Sequence, residues 1–115
     1  MRTAVVVVAV VLLAATLLAV DARQSSPQAL FEKALALEEV QGKVTEAVAV
    51  YQKVVSESGD KALAAQAQLH IGLCYERMGL EKAREAYEKV IKNYPGQAAA
   101  VAVAQEKLNS ILRAT

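Results

Sequence analysis

The sequence predicts an all-α protein: a stack of two antiparallel helix pairs and one terminal helix, behind an apolar N-terminal segment. Three observations predict it. Apolar residues recur at steps of three and four from Leu30 to Leu112, the spacing of one helix face. Glycine or proline punctuates that pattern at Gly42, Gly59, Gly79 and Pro95. Ala47, Tyr51 and Val54 reappear thirty-six residues later as Ala83, Tyr87 and Val90, a period typical of stacked helix pairs.

The chain opens with a segment of a different kind. Residues 4–20 read AVVVVAVVLLAATLLAV, with Thr16 the only polar side chain. A globular helix is polar on one side, and this one is apolar all round. Arg2 precedes it, and Asp21, Ala22 and Arg23 follow. Residues 1–22 therefore read as a signal peptide or as a membrane anchor. Val20 and Ala22 place small residues where cleavage after Ala22 would need them. Left uncleaved, residues 4–20 would be the chain's membrane contact. Both readings put residues 23–115 outside the cytoplasm, because the basic end stays inside. Cleavage would leave 93 of the 115 residues, enough for a modest core. Residues 23–26 form a polar linker before the helical domain, residues 27–115.

Ser26 and Pro27 suit the start of the first helix, whose stripe is Leu30, Phe31, Ala34, Leu35 and Leu37. Gly42 should end it near Val40. A second helix starts around Lys43 to Thr45 and carries Ala47, Val50, Tyr51, Val54 and Val55. Asp60 is a cap for a third, which carries Leu63, Ala67, Leu69, Ile71, Cys74, Tyr75 and Met78. The fourth covers Glu81 to Asn93, with Ala83, Ala86, Tyr87, Val90 and Ile91 inward. Glu85 with Lys89, and Glu88 with Lys92, should pair along its surface. Pro95 stops it, and a terminal helix covers residues 97–113.

The third and fourth helices read IGLCYERMGLEKAREAYEKVIKNYP. This resembles the tetratricopeptide repeat, through Ile71, Gly72, Tyr75, Gly79, Ala83, Tyr87, Val90 and Pro95, over residues 66–95. The loop is one residue shorter than the family's. The resemblance implies that Gly72 and Ala83 let two helices approach while Tyr75 and Tyr87 fill the space beside them. Residues 29–58 make a weaker unit. Phe31, Gly42, Ala47, Tyr51 and Val54 fit, but Leu35 stands where the family has glycine, Glu38 where it has tyrosine, and Gly59 where it has proline. Val101, Ala104 and Leu108 occupy first-helix positions of a third unit. The family implies a right-handed stack and a peptide groove lined by first helices, here Gln66, Leu69, Leu73, Glu76 and Arg77.

Other chemistry finds little support. A formal charge of +1 and 4% aromatic residues give no footprint for nucleic acid. His70 and Cys74 are one helical turn apart, yet they are the only His and Cys, and a structural zinc site takes four ligands. A Cys–His nucleophile would need an orienting group and an oxyanion site, and none is evident. Glu38 and Glu39 point about 100° apart on a regular helix and read as a solvated face, as does His70. No cofactor and no enzymatic activity are expected. The reading is a non-enzymatic scaffold that holds a protein or peptide, periplasmic or secreted, like short exported bacterial repeat proteins of envelope assembly. The alternative is a self-assembling or membrane-tethered unit anchored in the cytoplasmic membrane. Ala98 to Ala104 carry no polar side chain, and Val103 points away from the expected seam, which makes the terminal helix a candidate contact surface.

Overall fold

The computed structural model describes residues 26–79 and 81–114. The apolar segment 4–20 lies outside them. Among the described residues, no helix is long and apolar enough to cross a membrane. Five α-helices and no strand are present among them.

Helix α1 spans Pro27–Leu35. The Ala29 amide donates to Ser26 Oγ at 3.2 Å, supplying one of the orphan groups of a helix start with a partner. The chain then widens into a π turn, Ala36–Val40, in which the Gln41 amide donates to the Ala36 carbonyl at 3.0 Å. Gly42 turns the chain with φ +66°, a conformation that costs a side chain but not glycine. Helix α2 is Val44–Glu57 and α3 is Lys61–Arg77. Asp60 Oδ1 caps α3 by accepting from Ala62 N at 2.9 Å. Gly79, with φ +68°, leads to α4, Lys82–Asn93. Tyr94 to Gln97 form a turn before α5, Ala98–Ala114.

Each helix packs on its sequence neighbour, and α3 also touches α5. This is the linear order of a repeat protein. The interior divides into two clusters. One joins Ala34, Leu37, Val48, Tyr51, Val54, Ile71 and Cys74. The other joins Leu69, Tyr87, Val90, Ala100, Ala104 and Leu108. Tyr75 packs against both.

Two expectations are corrected. Glu88 pairs with Arg84, at 3.0 Å, in place of Lys92; both choices are four residues away on the helix surface. Gly72 is required for a different reason than close backbones. A Cβ there would meet the Tyr87 ring, lying 2.7 Å from Cδ1 and closer still to Cε1. The glycine admits an aromatic ring onto the helix.

Candidate protein-binding surface and its buried anchors

Along α3 the expected groove residues diverge. Leu69 is 6% exposed and belongs to the second cluster. Helix α5 brings Ala100, Ala104 and Leu108 into that cluster, so Leu69 serves packing and offers no surface. Leu73 is half-buried against the same cluster. Gln66 is also half-buried and lines a cleft of about 270 Å³ between the starts of α3 and α5, with Asp60, Leu63 and Ala98. Val103 on α5 is 37% exposed.

Glu76 and Arg77 are polar groups held in place. Glu76 Oε2 accepts a short hydrogen bond from the Tyr87 hydroxyl, and Lys107 Nζ of α5 lies 3.8 Å from it. Arg77 Nη1 donates to the Glu38 carbonyl at 3.4 Å, reaching across to the first pair. Burial, reinforced by Glu76, pushes the Tyr87 phenol upward in pKa. It therefore remains a donor at neutral pH.

The most elaborate polar arrangement was not expected. Glu38, read as solvated, is 3% exposed. It accepts from the Tyr51 hydroxyl at 2.9 Å, and His70 Nδ1 lies 2.9 Å from the same oxygen. His70, also read as exposed, stacks on Tyr51 at 5.1 Å between centroids and meets the edge of Phe31 at 5.7 Å. Buried carboxylates persist only with such partners. The π turn explains the missed prediction. It takes one residue more per turn than an α-helix, so 3.6-residue spacing misassigns the faces of Ala36–Val40. The available signal was the departure itself: Glu38 stands where the family has tyrosine.

Cys74 is fully buried, and burial together with Glu38 pushes its thiol up to about 12. The reactive species of cysteine is the thiolate, and both effects disfavour it. Tyr51 is likewise raised, by burial first and by Glu38 second.

A family model of the tetratricopeptide repeat matches residues 28–61 and 66–96, together more than half of the chain. The chain belongs to the tetratricopeptide repeat family. No curated protein and no solved structure matches it. Tetratricopeptide repeats mediate protein–protein interaction. The first repeat, matched from residue 28 to 61, contributes Phe31, Glu38 and Tyr51 to the cluster, and His70 comes from the second; the α1–α2 pair packs although leucine stands at the glycine position. The second repeat ends at residue 96, which leaves α5 beyond it as a covering helix on α4 and α3.

Proposed function

We propose that this repeat protein is a non-enzymatic scaffold that holds a protein or peptide on the face of its first helices, through Gln66, Leu73, Glu76 and Arg77. The observation that carries this reading is the fixing of Glu76 and Arg77 by other helices. Side chains already held in place lose less entropy when a partner binds. Half-buried Leu73 supplies an apolar anchor between them. Protein binding is the general role of the family. The apolar residues 4–20 support action outside the cytoplasm, in a bacterial envelope or beyond it, with residues 1–22 removed as a signal or kept as an anchor.

A photo-crosslinking residue at position 73 tests the surface. Crosslinks to another protein are expected there, and not from the same residue at the exposed position 53 of α2. Crosslinking only from position 53 would refute the assignment. Mass spectrometry of the amino terminus from its native compartment decides between signal and anchor. A second reading, self-association through α5, draws on exposed Ala98, Ala99, Ala102 and Val103. Sedimentation of the full chain and of Val103→Glu tests it, with a loss of dimer expected in the variant.

A further inference from the structure

A second cleft lies on the other helices of the stack. It has a volume of about 360 Å³ and runs between α2 and α4, above α3. That is within the range of small binding sites and holds one large side chain with part of its backbone. Its half-buried apolar side chains are Val55 and Tyr75, with Ile71 and Ala86 packed beneath them. Ile71 and Ala86 are buried at 4% and 3%. The buried Gln68 amide beneath donates to the Ala86 carbonyl at 3.2 Å. This bond satisfies the only buried polar side chain in the lining and ties α3 to α4, so the apolar floor is fixed.

The rim is cationic. Lys82 and Lys89 both line the cleft and stand seven residues, or about two turns, apart on α4. Glu85 between them lies 3.5 Å from Lys89, but the two side chains are 67% and 52% exposed. Such a pair is weak and screened. Lys82 has no ion-pair partner among the described residues. It is also the first residue of α4, where the helix dipole adds positive potential. The lining thus sums to a net charge of +1 around an apolar floor.

We infer that this cleft is a second peptide site, which takes an apolar side chain flanked by carboxylates. The inference rests on the reading of the chain as a protein-binding scaffold, and it adds a separate surface and a partner chemistry. An acidic segment satisfies Lys82 and Lys89 while its apolar residue covers Val55 and Tyr75. A basic segment meets repulsion at both lysines.

The test uses the full chain in dodecylmaltoside, labelled with nitrogen-15, and the probe acetyl-Asp-Glu-Phe-Glu-Asp-amide. Amide shifts are expected at Val55, Ile71, Tyr75 and Ala86. Affinity should fall by about tenfold, a change of about 1.4 kcal/mol, when serine replaces the probe's phenylalanine. Lys82→Glu, on an exposed position that leaves the fold intact, should produce a similar loss. Lys33→Glu should change nothing, because Lys33 is exposed on α1 and does not line the cleft. Equal binding by a lysine- and arginine-flanked probe overturns the inference, as does equal binding by Lys82→Glu. Shifts confined to Gln66, Leu73 and Arg77 overturn the cleft while supporting the scaffold reading. No shift anywhere overturns the cleft, and the crosslink at position 73 then judges the scaffold reading separately.

Discussion

In the first helix pair Tyr51 donates to a carboxylate that is 3% exposed; in the second, Tyr87 donates to one that is 32% exposed. The two pairs share a plan. A second-helix tyrosine meets a first-helix glutamate, and a basic side chain from the next first helix approaches that glutamate. For Glu38 this side chain is His70 at 2.9 Å, and for Glu76 it is Lys107 at 3.8 Å. The difference follows from glycine. The second unit has Gly72, so the Tyr87 ring lies directly on α3. The first unit has Leu35 at that place, and Tyr51 is packed by Phe31 and His70 instead. One of those rings comes from α3. The weaker repeat is therefore completed by its neighbour, and its stability is tied to the contact between repeats.

The largest test of this contrast removes the two basic partners in turn. His70→Leu removes a hydrogen-bond partner from buried Glu38, and a buried acidic group left short of a partner costs about 3 kcal/mol. Lys107→Leu, at a partly exposed pair, should cost below about 1 kcal/mol. Chemical denaturation of the full chain measures both. The double variant Glu38→Leu/His70→Leu should regain much of the loss, since replacing both partners of a buried hydrogen bond by apolar groups can be nearly neutral. Equal costs for His70 and Lys107 would abolish the distinction between the units.

Next in size is Gly72→Leu, at roughly 2–3 kcal/mol from overpacking. The smaller change Gly72→Ala should act through Tyr87 alone, so its cost should nearly vanish in a Tyr87→Leu background. A double-mutant cycle reads this coupling, and an additive result would show that the glycine is needed for some other contact.

Tyr51→Phe should cost about 1.5 kcal/mol, the scale for a hydrogen bond to a charged group. Tyr87→Phe should cost less, because water can replace the hydroxyl at the more exposed Glu76. Reversal of that order in thermal melts would place the greater dependence in the second unit.

The last effect is an alkaline one. The Cys74 thiol is pushed from its ordinary 9.0 up to about 12 in the folded chain. Unfolding exposes it, and above pH 9.0 the unfolded chain binds fewer protons than the folded one. Stability from this group is thus complete below about pH 9 and is lost as pH rises toward 12. The same burial predicts no labelling of native Cys74 by iodoacetamide at pH 8, with labelling only after denaturation.

Much of this architecture was legible in the residues. Ser26, Asp60 and Gly79 mark helix ends through bonds and dihedral angles that involve only a few neighbouring positions. The stripe of Ala47, Tyr51 and Val54, and its recurrence, placed the buried faces. Of the surface expected on α3, Gln66, Leu73, Glu76 and Arg77 stay at least partly exposed, and Leu69 does not. Its fate depended on how α5 folds back, which no spacing within α3 records.

Local sequence alone determined the helices, their ends and the repeat, because caps, turns and amphipathic stripes are set within one or two turns of chain. Tertiary structure alone decided the burial of Glu38, the stacking of His70 on Tyr51 and the role of Gly72 beneath Tyr87. Each of these joins residues from different helices. A carboxylate enters the interior only when donors from elsewhere arrive to meet it, and a glycine is indispensable only when a particular ring lies over it.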